Sequence, residues 1–260
     1  MRRSKVLAKL RAGKCALMTN TSWGHSPLAT SLAGKAGMDA VWIDTEHRAY
    51  NPREVEHICM AACLADVDAT IRIRKGEGYT SFFRPLEDGA AGIIVPHVVT
   101  REETEWVVRN AKYPPLGRRG IETVTLDSDL GHADAVAYLA HANRETFVCI
   151  QIEDAEALDH LDAILSTPGL DLIFIGPADL TGSMGIPFQF DHKQYKDAID
   201  RIGKAAAKHG KWWGLPVADG AAAARYAAQG ARFFNIGSDY ALLRNGFARI
   251  REDFDRAVGG

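Results

Sequence analysis

No run in this sequence approaches the roughly 20 consecutive apolar residues that cross a bilayer, so a helical membrane span is not expected. The amino terminus, MRRSKVLAKLRAGK, is basic but lacks the apolar stretch of a signal peptide. It reads as a short amphipathic helix, and the cytoplasm is the expected compartment. Cysteine is scarce. Cys15, Cys59, Cys63 and Cys149 fit neither a disulfide framework nor a zinc spacing, because no second ligand pair follows the two that are one helical turn apart. Charge of one sign is also missing. Lys and Arg number 31 against 33 Asp and Glu, for a net charge of −2 with no basic block, so neither nucleic acid nor a membrane surface is the expected partner. No glycine-rich fingerprint follows the first strand, where the chain reads TNTSWGHSP, and this weighs against a doubly wound open sheet. Internal repeats and low-complexity linkers are absent as well.

What is present is an ordinary globular composition, 47% apolar and 25% charged over 260 residues. Short apolar runs rich in Val, Ile, Phe and Trp fall at 15–19, 40–44, 69–73, 92–95, 147–153, 170–175, 212–217 and 232–236. Most are continuous rather than alternating, as buried parallel strands are. Helical patterns separate them. Asn51-Pro52 and Thr100 with Glu103 open two of these helices, Asp219 caps a third, and Asp239 is placed to cap the last. Strand–helix alternation repeated eight times predicts an α/β protein with one (β/α)₈ TIM barrel spanning 1–260. One long connection, residues 114–145, is expected to cover the pocket, since such loops are usually functional.

In a barrel, chemistry collects at the strand C-terminal ends. The second strand ends in Asp44-Thr45-Glu46-His47, the third carries Arg72 and Arg74 before Lys75, and the fourth ends in Pro96-His97. The fifth ends in Gln151-Ile152-Glu153, the sixth in Gly176-Pro177-Ala178-Asp179. Neighbouring strands lie roughly 4.8 Å apart, so Glu153 and Asp179 can reach one point. Unpaired, they would repel, and a divalent cation resolves that. Oxygen ligands suit Mg²⁺ or Mn²⁺, with Co²⁺ a third option. The competing reading pairs each acid with an arginine or a helix cap. Arg72 alternates with Ile71 and Ile73 and so is expected inside the barrel, beside either a substrate anion or a structural partner such as Asp44 or Glu153. Asp44, three residues before His47, can orient a basic imidazole, although a surface ion pair is the commoner outcome of that spacing. His25 and His97 are read as pocket lining at most, and Trp212 and Trp213 as packing.

The run WIDTEH, then Ile71-Arg72, EDGAAGIIVPHV, YPPLGRRG, IQIE and IFIGPADL occur in that order. Together they resemble the class II pyruvate aldolases of the 4-hydroxy-2-oxoheptanedioate aldolase family, related to citrate lyase β-subunits, from about Cys15 to the last helix. The resemblance implies a metal held at Glu153 and Asp179, and pyruvate bound through Arg72, Gln151 and the backbone at Ala178 and Asp179. It further implies an enolate stabilised by Arg72 and a general base at His47 oriented by Asp44. It also implies a homohexamer whose last helix, about 240–257, is swapped between subunits. The sequence departs from the family after His47, within 73–85 and after GRRG, changes that fall around the second-substrate pocket.

The expected activity is therefore that of a carbon–carbon lyase, a metal-dependent aldolase acting on 4-hydroxy-2-oxo acids through pyruvate and an aldehyde. A Schiff-base route would need a lysine at a strand end, and Lys75 is the only nearby candidate. Rival readings are a citrate- or malyl-type coenzyme A thioester lyase, an oxaloacetate decarboxylase on the same metal site, and a non-catalytic barrel that binds a 2-oxo acid.

Overall fold

The computed structural model describes residues 2–76 and 78–259. Met1, Glu77 and Gly260, which the 1–260 domain and the departing 73–85 segment include, lie outside the described residues. In chain order the elements are α1 (Lys5–Arg11), β1 (Ala16–Asn20), α2 (Pro27–Lys35), β2 (Ala40–Asp44), α3 (Pro52–Leu64), β3 (Asp68–Arg72), α4 (Arg84–Glu87) and β4 (Gly92–Val95). Then follow α5 (Arg101–Ala111), α6 (Ala135–Glu145), β5 (Phe147–Ile152), α7 (Leu161–Leu165), β6 (Leu172–Ile175) and α8 (Pro177–Ser183). The last are α9 (Lys193–Lys208), β7 (Trp212–Pro216), α10 (Gly220–Ala228), β8 (Phe233–Ser238) and α11 (Asp239–Val258). The strands pair in sequence order, all parallel, and β8 closes on β1. The (β/α)₈ barrel expected from the alternation is the fold, with strand limits within about two residues of the apolar runs.

Strand parity divides the core in two. Ile71, Ile73, Val148, Ile150, Ile152, Ile173 and Ile175 point outward and pack under Ile58, Val107, Leu161, Ile199 and Ile202 of the helices. Met18, Trp42, Ile94, Phe147, Phe174 and Phe233 point inward and form a second cluster. Its rings meet edge to face, Trp42 with Phe174 at 5.2 Å and Phe174 with Phe233 at 5.8 Å between centroids. Trp212 joins this inner cluster and Trp213 the outer one, so both are packing residues.

Val6, Leu7 and Leu10 of α1 belong to the inner cluster, so this helix plugs the strand N-terminal end. Asp68, fully buried at the start of β3, ties it down by accepting from the Ser4 hydroxyl at 2.7 Å, the Val6 N–H at 3.0 Å and the Arg2 guanidinium at 2.9 Å.

Two expectations are corrected. The 114–145 connection does not cover the mouth of its own barrel. Leu126 and Asp127 line a small cavity with Arg2, Ser4, Cys63 and Ala91, at the end where α1 sits. The reason is topological: the segment joins a helix to the next strand, and such connections return to the strand N-terminal end. It is also not structureless, since α6 occupies its second half. The second correction concerns the last helix. Ser238 is its N-cap, accepting from the Ala241 N–H at 3.1 Å. Asp239 instead accepts from the N–H groups of Trp23 and Gly24 at 3.0 and 2.9 Å. The other caps stand as read, with full capping boxes at Asn51–Glu54 and Thr100–Glu103, and Asp219 capping α10.

No helix among the described residues is long and apolar enough to cross a membrane. One position shows how tightly the barrel interior is filled. A Cβ on Gly92 would lie 2.3 Å from the Phe147 ring. Gly92→Ala should therefore cost about 1–3 kcal/mol of stability by overpacking. Denaturant unfolding should show that loss, and adding Phe147→Leu to the same chain should recover part of it.

Candidate active site

Asp44 and Arg72 end neighbouring strands in direct register. Their side chains meet inside the mouth of the barrel, where Arg72 Nε and Nη2 donate to the two Asp44 oxygens at 3.0 and 2.7 Å. Arg72 Nη1 lies 3.0 Å from Glu46 Oε2 and donates to Gln151 Oε1 at 3.4 Å. Below it stands the Trp42 ring, with its centroid 5.2 Å from the guanidinium carbon. Burial would raise the Asp44 carboxyl, but the hydrogen bond and charge of Arg72 outweigh it and hold the group below its ordinary value. Arg72 thus has the anionic company its interior position requires, in a fork geometry that fixes its planar head.

Glu153, one residue past β5, is 1% exposed. Its Oε1 accepts from the main-chain N–H of His97 at 2.9 Å, and its Oε2 accepts from the Gln151 amide at 2.6 Å. Burial pushes this carboxyl up to about 7; the His97 contacts and the Arg72 charge pull against it, and the charge of Asp179 adds to it. Asp179 itself is exposed, as is Ala178, in the first turn of α8. The Gly-Pro pair before them has a definite steric task. A Cβ at Gly176 would lie 2.1 Å from Glu153 Oε2, so only glycine leaves room for the carboxylate, and Pro177 then starts the helix.

These groups fit a divalent cation. Glu153 is a buried carboxylate whose neighbours give it two neutral donors, and a second carboxylate raises it further. Among the described residues no cluster of three or more His, Cys, Asp and Glu is grouped to hold a metal ion. Two carboxylates leave positions open for water or substrate oxygens, the way Mg²⁺ is usually held.

His47 is placed differently from the spacing argument. Asp44 Oδ1 accepts from the main-chain N–H of His47 at 3.2 Å, so it fixes the loop rather than the ring. The imidazole is 57% exposed, with Nε2 3.7 Å from Glu46 Oε2. Arg74 holds the same loop, donating to the Thr45 carbonyl at 2.6 Å. Lys75 is engaged with Glu103 at 2.7 Å and with the His97 carbonyl. His25 stands apart, its ring 4.2 Å from that of Tyr50.

Glu46 lies in the same DTEH run, but no local spacing marks it as a partner of Arg72 on the next strand. Sequence reasoning also undervalued His97. The ring Nδ1 of His97 is 3.0 Å from Asp154 Oδ2 and 3.7 Å from Glu153 Oε1. Burial would lower this imidazole, but the Asp154 hydrogen bond and the Glu153, Asp154 and Glu46 charges raise it overall. The separation of 57 residues between His97 and Asp154 hides that contact from any local pattern.

Comparison with known proteins identifies the family. The pattern of the HpcH/HpaI aldolase/citrate lyase family matches residues 22–246. The 5-keto-4-deoxy-D-glucarate aldolase of Shigella dysenteriae is 31% identical over 231 residues, 89% of each chain. The crystal structure of an HpcH/HpaI aldolase from Desulfitobacterium hafniense superposes with a TM-score of 0.90 at 30% identity, covering 96% of both chains. The citrate synthase SbnG superposes at 0.85, also 30% identical, over 97% of this chain and 99% of that one. With barrel and relatives in accord, the chain belongs to the HpcH/HpaI aldolase/citrate lyase family and is a carbon–carbon lyase of the aldolase type.

Proposed function

We propose that the protein is a metal-dependent aldolase that forms or cleaves 4-hydroxy-2-oxo acids through a pyruvate enolate and an aldehyde. The observation that carries this reading is the juxtaposition, across Gln151, of a forked arginine and a buried carboxylate whose hydrogen bonds come from two neutral donors. Glu153 and Asp179 would hold Mg²⁺ or Mn²⁺, which when bound supplies Lewis-acid polarisation of the keto group. Arg72, locked by Asp44, offers its guanidinium to the oxygen on which enolate charge develops, with no reorganisation needed. The first-turn N–H groups of α8 at Ala178 and Asp179 have no intrahelical acceptor and suit the pyruvate carboxylate. His47, at the mouth with Glu46 beside it, takes the proton from the pyruvate methyl group and returns it in the reverse direction.

The likeness to a citrate synthase supports a second reading on the same groups, a citrate-type reaction of an enolate with a 2-oxo acid acceptor. The two differ in the source of the enolate, a coenzyme A thioester in place of pyruvate. Exchange of the pyruvate methyl protons in heavy water, followed by NMR, tests the first. It should require Mg²⁺ or Mn²⁺, fall at least 100-fold in His47→Ala, and fall comparably in Arg72→Lys, which keeps the charge but loses the fork. Absence of exchange in folded, metal-loaded protein would reject the pyruvate aldolase reading. Gly176→Ala should displace the Glu153 carboxylate and weaken Mn²⁺ binding, measured by calorimetry, while the far-ultraviolet circular dichroism stays that of the parent.

We further infer a homo-oligomer. No residue of α11 is buried, yet Leu243, Phe247, Ile250 and Phe254 form an apolar stripe along it. A second copy of the chain is the occupant proposed for that stripe, in keeping with the swapped helix and hexamer the resemblance implies. Phe247→Asp with Phe254→Asp should lower the sedimenting mass, and an unchanged mass would reject this.

A further inference from the structure

The His47 imidazole makes no hydrogen bond among the described residues; its ring is 57% exposed and only approaches Glu46, at 3.7 Å. Its direction is therefore set by its main chain. That main chain is held at both ends, the N–H by Asp44 Oδ1 at 3.2 Å and the carbonyl by Arg48 Nη1, which donates to it at 2.7 Å. The first hold belongs to the strand end. The second leads away from the barrel interior.

The Arg48 guanidinium lies over the Trp23 ring, 3.6 Å from its centroid. Trp23 stacks in turn on Tyr240 in the first turn of α11, with centroids 4.8 Å apart. Arg48 Nε is buried without a hydrogen-bond partner, so the indole face, not its donors, accounts for where the side chain lies. The seat of Trp23 is firm. Asp239 accepts from the N–H groups of Trp23 and Gly24 at 3.0 and 2.9 Å. The preceding Ser22 hydroxyl donates to the Trp42 carbonyl at 2.9 Å and accepts from the Asp44 N–H at 2.8 Å. The Tyr50 hydroxyl donates to the Ser22 carbonyl at 3.0 Å.

Core packing does not explain this column. Trp23 and Tyr240 are about half exposed and belong to neither core cluster. Nor does the column make a hydrogen bond or ion pair with Arg72, Gln151, Glu153 or Asp179 among the described residues. Its contact with the mouth is the loop that carries His47. We propose that the Tyr240–Trp23–Arg48 column positions His47, fixing the backbone from which the imidazole serves the pyruvate methyl group and leaving metal and pyruvate binding to the strand ends. The assignment rests on the reading of His47 as the general base and adds three positioning residues to it.

Pyruvate methyl exchange on the Mn²⁺-loaded protein, with Mn²⁺ affinity measured separately by calorimetry, tests this. Trp23→Leu removes the platform and Arg48→Ala the cation, whereas Trp23→Phe keeps a ring face and Arg48→Lys keeps a cation able to lie on it. A base displaced by about 1 Å can lose up to about 100-fold in rate, so exchange kcat should fall about tenfold or more in Trp23→Leu and Arg48→Ala. The pyruvate KM and the Mn²⁺ affinity should stay within about twofold of the parent. Trp23→Phe and Arg48→Lys should recover most of the loss. In a His47→Ala background, Trp23→Leu should lower the residual exchange no further, because the group it positions is gone.

Unchanged exchange in Trp23→Leu and Arg48→Ala would overturn the assignment. So would a loss that appears equally in KM and Mn²⁺ affinity, which would make the column a brace for the whole mouth, or a full further loss in the His47→Ala background. A parent without exchange, or one indifferent to His47→Ala, would bring down the underlying reading and this assignment with it. Exchange that needs His47 and ignores the column would bring down this assignment only.

Discussion

A carboxylate that is 1% exposed, two hydrogen bonds from neutral donors and no forked cation of its own would be an unstable thing to leave at the end of a strand. Glu153 is in that position, and much of the mouth is arranged around it. Gly176 gives up its side chain so that the carboxylate fits. Gln151 spends both ends of its amide linking it to Arg72, and His97 adopts a strained backbone whose N–H points at it. The nearby guanidinium does not neutralise it, because Arg72 is already forked onto Asp44 and touched by Glu46. The acid side of the site therefore exceeds the basic side, which is the balance a dication would correct.

The barrel separates that polar mouth from a polar base by an apolar middle. At one end Asp68 binds α1 as a plug, and at the other Asp44, Arg72, Gln151 and Glu153 line the opening. Between them the rings of Trp42, Phe174 and Phe233 fill the interior edge to face. Such packing transmits little flexibility, so Asp44, Arg72 and Gln151 rest on rigid strands. His47 and Glu46 sit instead on the loop beyond β2, which Arg74 and Asp44 hold through its main chain.

The parts of this arrangement that depend on one strand were legible in the sequence. Ile71-Arg72-Ile73 placed the arginine inward by parity alone, and the structure puts both isoleucines in the outer core. The Asn51–Glu54 and Thr100–Glu103 caps were equally local. What depended on a partner far along the chain was not legible. The Asp154 contact of His97 crosses strands, and Asp44 has two candidate partners, of which the side chain chose Arg72 on β3 and left only main-chain contact for His47. The 114–145 segment was misplaced because a long polar connection carries no mark of which barrel end it visits; the direction of the flanking helix and strand decides that.

Mn²⁺ binding measured by calorimetry at pH 6 and pH 8, on the parent protein and on Glu153→Gln, tests the central claim most directly. A cation must displace the proton that Glu153 holds up to about pH 7, so affinity should rise with pH in the parent and proton release should accompany binding at pH 6. Glu153→Gln should bind weakly and show no such dependence. Equal affinity in the two proteins at both pH values would contradict the account.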